Sequence, residues 1–250
     1  MNRNLKFAIA AAIASLGVTG QAHALTNSSV GASGSLFLYA FEDRTANPAA
    51  TNTAIFDLGL ASGFDTTSNQ TIDLSASAGW TNYIATIANP ANIHWGVFGV
   101  SNGTGGAGGA IMTTMSVVPT SIGGAALNTS IANYNAEITL YGPNAGFNTQ
   151  VANDLASVGW DDNAGKLPAT LTAGLGGSVD FFKYVSTGTK ATNLATKTAF
   201  ATGGDADYFT LSNTGVLTYT AAPVPEADSY AMMLAGLGLV GYMVRRRKVA

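Results

Sequence analysis

The sequence predicts a mainly β protein: a β-sandwich-like domain with one or two short helices, followed by a separate hydrophobic helix at the C-terminal end. Of its 250 residues, 47% are hydrophobic and only 10% are charged, so the chain can bury a sizeable core. Its apolar segments are short and are separated by Gly, Asn, Ser and Thr, a pattern typical of strands joined by turns. Cysteine is absent, so packing and hydrogen bonds must hold the fold without disulfides.

Seven segments have the length and composition of strands. Each is rich in the aliphatic, aromatic and β-branched residues that fit a pleated sheet. In chain order they are SLFLYAF (35–41), TAIFDLGL (53–60), WTNYIATI (80–87), IHWGVFGV (93–100), MTTMSVV (112–118), EITLYG (137–142) and VDFFKYV (179–185). Many short strands at this spacing favour a sandwich.

The clearest hairpin is DYFTLSNTGVLTYT (207–220), in which Gly215 can supply the positive φ of a tight turn. Strand alternation places four apolar side chains of this hairpin on one face, namely Phe209, Leu211, Leu217 and Tyr219. We expect the hairpin to be the last element of the domain, because Pro223 and Pro225 then form an extended linker.

One region has the period of a helix instead. In IGGAALNTSIANYNAEITL (122–140), apolar residues recur at steps of three and four, at Leu127, Ile131, Tyr134 and Ile138. This spacing predicts an amphipathic helix packed on the sheet, and its end overlaps the strand predicted at 137–142. A second, weaker helical stretch is predicted from residue 148 to residue 158.

Charge excludes one class of partner. Between residues 25 and 222 the chain has five basic and twelve acidic residues, a net charge of −7. A body of this sign repels phosphate, and no cluster of Lys or Arg can displace the counterions around nucleic acid. The sequence therefore predicts no nucleic-acid binding.

The first 24 residues, MNRNLKFAIAAAIASLGVTGQAHA, have the order of a secretory signal peptide. Arg3 and Lys6 precede an apolar run, and the small residues Ala22 and Ala24 fit the pocket of signal peptidase. We expect this segment to be removed, so that the mature chain starts near Leu25.

The C-terminal tail combines three features in a fixed order. The short motif Val224-Pro225-Glu226-Ala227 precedes an uncharged run at 229–244, and the basic residues Arg245, Arg246, Arg247 and Lys248 follow it. At ~1.5 Å per residue a helix over this run covers about 24 Å, less than the ~30 Å hydrocarbon core of a membrane. The basic residues are expected to stay on the cytoplasmic side and to stop translocation.

This arrangement resembles the PEP-CTERM sorting signal of Gram-negative bacteria. The resemblance covers 224–250, where the usual Pro-Glu-Pro is replaced by Pro225-Glu226-Ala227. It implies transient membrane insertion of the helix, processing by an exosortase, which is a membrane-embedded cysteine transpeptidase-like enzyme, and delivery to the cell surface or the extracellular matrix. An ordinary single-pass anchor is the alternative.

Two motifs suggest chemistry but favour structural roles. Gly103, Gly105 and Gly108 have the G-x-G-x-x-G spacing of a dinucleotide loop, yet the residues that follow are strand-like where that chemistry needs a helix. His94 is the one histidine beyond the signal segment, so a Ser-His-Asp triad would have to use it. Its place beside Trp95 favours a partly buried, hydrogen-bonded imidazole.

Oxygen-rich groups occur at Asp161-Asp162-Asn163 and at Asp205 with Asp207. Calcium prefers such hard oxygen ligands, but neither group has the order of an EF-hand loop. Turn-forming aspartates are the favoured interpretation, and no metal is expected.

Three tryptophans leave two interpretations open. Trp80, Trp95 and Trp160 would stack on sugar rings if they were exposed together, and they would equally fill the core of a sandwich. No pair of carboxylates can be assigned to glycoside cleavage, because sequence spacing does not fix their separation.

These observations divide the chain into three segments and predict one function. We expect a signal peptide (1–24), a β-rich extracellular domain (25–222) and a sorting segment (223–250). The resemblance implies an exported protein with a structural role in biofilm or exopolysaccharide architecture, without enzymatic activity or cofactor. A carbohydrate-binding module or adhesin is the first alternative, and a secreted hydrolase is the second.

Overall fold

Twelve strands form one curled antiparallel sheet in the part of the chain that the structure describes. The structure is a computed structural model, and it describes Ser28 and residues 32–43, 53–102, 108–115, 121–141, 149–151, 172–186, 193–198, 200, 207–222, 233–237 and 239. The strands are β1 (Ser35–Glu42), β2 (Thr53–Leu60), β3 (Gln70–Asp73), β4 (Ile93–Asn102), β5 (Ala110–Met115), β6 (Ser121–Gly123), β7 (Thr149–Val151), β8 (Ala173–Gly174), β9 (Ser178–Ser186), β10 (Leu194–Thr198), β11 (Asp207–Leu211) and β12 (Val216–Thr220). The mainly β prediction is confirmed.

The order of the strands across the sheet is β3-β12-β11-β9-β5-β4-β1-β2-β7. Strand β10 pairs with β9 and β6, and β8 pairs with the start of β4. Two α-helices accompany the sheet, α1 (Ala78–Thr86) and α2 (Gly124–Tyr141), and single 3-10 turns lie at Ala61–Gly63 and Pro90–Asn92.

Strand β1 is buried on both sides. All eight of its residues are at most 4% exposed, and the strand pairs with β2 on one side and with β4 on the other. Its side chains alternate between two separate clusters: Leu36, Leu38 and Ala40 belong to one, and Phe37, Tyr39 and Phe41 to the other. We call the first side of the sheet the inner face and the second the outer face.

The inner face encloses the larger core. Eight strands (β1, β2, β3, β4, β5, β9, β11 and β12) place buried side chains in this one cluster, so the sheet must curl around it. Helix α1 completes the cluster, with the Trp80 ring centred 6.0 Å from Phe56. Phe64 lies among Phe181, Phe209 and Tyr219, at ring distances of 6.1, 5.8 and 5.1 Å.

Helix α2 covers part of the outer face, as its periodicity predicted. Leu127, Ile131, Tyr134 and Ile138 are all buried in the outer cluster. Tyr134 stacks on Phe37 at 5.6 Å, and its hydroxyl donates to the Ser35 carbonyl at 2.8 Å. This hydrogen bond lets a polar hydroxyl lie in the core without an unsatisfied donor.

The strand predicted at 80–87 is wrong, because this segment forms α1. The Ser77 hydroxyl caps the helix by accepting from the Trp80 amide at 3.0 Å. A helix places Trp80, Tyr83 and Ile87 on one side, and all three are buried, whereas a strand would divide them between its two faces. The segment is therefore a helix and not a strand, because only a helix buries these large side chains on one face.

The strand predicted at 137–142 is also wrong, since α2 continues to Tyr141 and buries Ile138 as the last member of its apolar face. In the second helical stretch predicted at 148–158, Thr149–Val151 is the strand β7, paired with β2. Residues 148 and 152–158 lie outside the described part. The predicted strand at 112–118 is confirmed to Met115, and 116–118 lie outside the described residues as well.

The C-terminal hairpin is confirmed in its predicted register. Phe209 pairs with Tyr219 and Leu211 with Leu217, and all four point to the inner core. At the turn Gly215 has φ +89°, and a Cβ at this position would clash with the Trp80 indole ring. The turn therefore requires glycine at this position for two reasons: its positive φ and its close contact with α1.

The loop before β3 is organised by Asp65. This carboxylate accepts hydrogen bonds from the Ser68 hydroxyl and from both the hydroxyl and the amide of Thr67. These bonds favour the charged form, and they lower the pKa of Asp65 to about 2.

Replacing Gly215 with Ala is expected to lower the free energy of unfolding by about 3 kcal/mol, because it adds left-handed strain to a clash with Trp80. Gly59→Ala is the matched control, since Gly59 has φ +98° but an added Cβ meets nothing within 4 Å. Urea denaturation followed by tryptophan fluorescence measures both. Equal losses for the two variants would contradict the contact with Trp80.

Carbon-13 NMR titration is expected to give Asp65 a pKa near 2. Because the folded-state pKa is depressed, the stabilisation is complete above the ordinary carboxyl pKa and is lost as pH falls through about 2. Ser68→Ala should raise this pKa. Ser75→Ala is the control: Ser75 hydrogen-bonds to Asp73, so its replacement should raise the pKa of Asp73 alone. A change in the pKa of Asp65 in Ser75→Ala would refute the assignment.

Candidate functional site

Two hydrogen bonds hold the chain directly after β12, the last strand that the structure describes. The Ala222 amide donates to the buried Asp207 carboxylate at 2.6 Å, and the Ala221 amide donates to the Asn69 side-chain oxygen at 3.0 Å. Both acceptors come from neighbouring parts of the sheet, since Asp207 begins β11 and Asn69 precedes β3. The chain is thus fixed on two sides directly after its last strand.

Asp207 is 2% exposed, so its charge needs compensation from nearby donors. The Ala222 amide supplies one such bond, to Oδ1, whereas the buried Oδ2 has no hydrogen-bond partner in the described part of the chain. Nearby, the Tyr219 hydroxyl donates to the Thr66 carbonyl at 3.1 Å. Burial raises the pKa of Tyr219, and a hydrogen bond and the negative charge of Asp207 raise it further. Tyr219 therefore remains neutral, and the end of β12 carries no second charge.

Beyond Ala222, the described residues 233–237 and 239 are helical. Their large apolar side chains are more than half exposed, at Met233, Leu234, Leu237 and Leu239. Within the described parts of the chain, no helix is both long and apolar enough to cross a membrane. The motif 224–227 and the basic residues 245–248 lie outside the described residues, as do Ala22 and Ala24.

His94 lies near the start of the central strand β4, where it pairs with Phe41 on one side and Gly174 on the other. Its Nε2 is 4.0 Å from an Asp43 carboxylate oxygen, its Nδ1 is 3.4 Å from the Thr172 hydroxyl, and its ring stacks on Phe41 at 5.9 Å. A triad needs a nucleophile in hydrogen-bond contact with the imidazole and a carboxylate on the opposite nitrogen. In the described part of the chain, His94 has no serine hydrogen-bonded to it.

Two of the three tryptophans are core residues. Trp80 is 4% exposed and Trp95 is fully buried, with its indole N–H donating to the Gly174 carbonyl at 2.8 Å. Neither is available to stack on a sugar ring. Trp160 lies outside the described residues.

The oxygen-rich groups are only partly described. Asp207 is used inside the domain, as above, while Asp205 and Asp161-Asp162-Asn163 lie outside the described residues. Over the residues that the structure covers, no three His, Asp or Glu side chains approach closely enough to hold a metal. Gly108 lies in a turn with φ +85° that leads into strand β5, where a dinucleotide loop needs a helix.

The role of Asp207 was not anticipated from the sequence. An aspartate before an apolar alternating segment is typical of a turn, and only the pairing of β11 with β12 brings its carboxylate to the chain segment 15 positions later. The hairpin prediction contained this register, since Phe209 opposite Tyr219 places Asp207 beyond the end of β12.

Comparisons with known proteins identify the C-terminal segment. Neither the curated proteins nor the solved structures gave a match to this chain. A family model for the PEP-CTERM protein-sorting motif matches residues 223–248, which begin one position after Ala222. The segment that follows the folded domain is therefore a PEP-CTERM protein-sorting motif, which implies that the chain is exported and sorted at a membrane by an exosortase.

Proposed function

We propose that residues 25–222 form a structural, non-enzymatic protein of the cell surface or extracellular matrix, and that an exosortase removes the sorting segment after Ala222. The observation that carries this proposal is the position of the sorting motif relative to the sheet. Asn69 and Asp207 accept hydrogen bonds from the amides of Ala221 and Ala222, and the sorting motif begins at residue 223.

Removal of the segment would leave the domain intact. Both core clusters are built from residues up to Ala221, and no described residue beyond Ala222 belongs to either of them. A peptidase must also bind its substrate as an extended chain, and the amides of Ala221 and Ala222 are already hydrogen-bonded within the domain. Cleavage is therefore favoured in the segment after Ala222.

The apolar side chains of the segment suit a temporary stay in lipid. Exposing Met233, Leu234, Leu237 and Leu239 to water is unfavourable by about 1.5–3 kcal/mol for each fully exposed side chain, and lipid removes this cost. Residues 223–228 span at most about 21 Å when fully extended, so the domain lies close to the membrane until it is released. The basic residues 245–248 hold the other end on the cytoplasmic side.

A structural role also agrees with the surface charge and the core. The net charge of −7 between residues 25 and 222 disfavours phosphate polymers and favours solubility outside the cell. The largest described aromatic side chains fill the two cores instead of lining a cleft. We place the protein in the biofilm or exopolysaccharide matrix, after signal peptidase has cut near Ala24.

Intact mass spectrometry of the protein recovered from culture is the test of sorting. The expected species begins near Leu25 and ends between residues 223 and 229, allowing for any added group. Full-length protein in the extracellular fraction, still carrying its four C-terminal cations, would refute the proposal.

A charge-matched pair of variants sharpens this test. Glu226→Gln, within the motif, is expected to leave uncut protein in the membrane fraction. Asp228→Asn removes the same charge two positions later and should be processed normally. Equal processing of both variants would exclude a role for the Pro-Glu motif in recognition.

The hydrolase alternative is tested at His94. We expect the protein to release no product from polysaccharide, ester or peptide substrates, and His94→Gln to behave identically. The reason is that the Asp43 carboxylate, at 4.0 Å from Nε2, is beyond hydrogen-bond distance, and the hydroxyl next to Nδ1 belongs to Thr172 and not to a serine. Product formation that disappears in His94→Gln would establish an enzyme.

A further inference from the structure

One part of the outer face is open and carries hydroxyl groups. Helix α2 packs on the same side over β4, β5, β6 and β10. Over β3, β12, β11 and the start of β9 the outward side chains are instead exposed or half-buried, and all of them except Val216 are polar or tyrosine. Their neighbours at Ile72, Leu217, Phe209 and Val179 fill the inner core.

The strand pairing aligns these hydroxyls in a row. Thr71 is opposite Thr218, Thr218 is opposite Thr210, and Thr210 is opposite Ser178. Neighbouring positions in such a row lie about 4.8 Å apart. A second row, about 7 Å along the strands, contains Thr220, Tyr208 and Asp180.

None of these Thr and Ser hydroxyls is hydrogen-bonded to another described residue, so they are available to a ligand. Tyr208 adds an aromatic surface, since it is 37% exposed and is one of three large apolar side chains in residues 28–222 that the structure describes as exposed. A sugar ring has an apolar C–H face and a rim of hydroxyls, so it can stack on Tyr208 while its rim exchanges hydrogen bonds with the threonines.

Charge selects the kind of polymer. The charged side chains that project from the described strands of this surface are Asp180 and Asp73, both acidic and exposed. The cation Lys197 lies on the adjoining part of the outer face, where it is held over the Phe182 ring at 4.6 Å. An anionic polysaccharide would be repelled by the two aspartates, whereas a neutral polysaccharide would not.

We propose that this surface, formed by Thr71, Thr218, Thr210, Ser178, Thr220 and Tyr208, binds a neutral polysaccharide chain. The binding is non-covalent, with Tyr208 as the stacking platform and the threonine row as the polar contact. The proposal rests on the matrix role proposed above, and it gives that role a binding face and a class of ligand.

The test is retention on insoluble polymers, using the protein as recovered from the producing cells, whichever termini it carries. The neutral polymers are cellulose, a β-1,3-glucan and agarose, and the anionic ones are alginate and polygalacturonate. We expect retention on at least one neutral polymer, unchanged in 1 M NaCl, and none on the anionic polymers. Retention on the anionic polymers alone, or on none of the five, overturns the proposal.

Two variants assign the binding to this face. Tyr208→Ala should weaken binding about tenfold, as removal of a central aromatic contact does. The double variant Thr210→Val with Thr218→Val keeps shape and β-propensity but removes two hydroxyls, and it should weaken binding about fivefold or more. The matched control is Thr198→Val, an exposed threonine on β10 outside the face, which should bind normally.

Circular dichroism and thermal unfolding of each variant separate loss of binding from loss of fold. Binding that persists in folded Tyr208→Ala and in the folded double variant overturns the proposal, as does an equal loss in Thr198→Val. The intact mass tests the sorting proposal separately, because retention on the polymers does not depend on where the chain ends.

Discussion

Burial of β1 on both sides is the constraint on which the rest of the structure depends. A strand that is buried on both faces needs other elements packed against each face. The inner side of β1 is covered because the sheet curls around Leu36, Leu38 and Ala40, and the outer side is covered by α2 through Tyr134 and its neighbours. Of the two helices described between residues 28 and 222, α1 thus belongs to the inner core and α2 to the outer one.

Covering the outer face with a single helix has a second effect. An 18-residue helix spans only part of a twelve-stranded sheet, so the strands furthest from β1 keep a solvent-facing side. On β11 and β12 that side is rich in threonine, which combines a high strand propensity with a hydroxyl. The proposed binding surface therefore follows from where α2 ends, and it required no additional element.

The sequence was a good guide wherever one period dominated. The alternation in 207–220 predicted the register of the last hairpin, and the three- and four-residue steps from Leu127 to Ile138 predicted the buried face of α2. The failure at 80–87 arose because a short run with Trp80, Tyr83 and Ile84 fits both periods, and the cap at Ser77 was not weighed. The tail was recognised from its motif, whereas the Asp207–Ala222 contact was missed, because the predicted register of the hairpin was not extended past the end of β12 to Asp207.

Strand β12 lies between β11 and β3, so residues 216–219 complete a pairing whose other half is at residues 70–73. If the chain is exported N-terminus first, β3 cannot pair with β12 until almost the whole chain has crossed the membrane, because the two strands are far apart in the sequence. The last hairpin supplies the missing partner of β3, and the sorting segment follows this hairpin directly in the sequence. A prematurely terminated product that lacks the closing strand therefore also lacks the sorting segment, and every chain that carries the sorting segment carries all twelve strands described here.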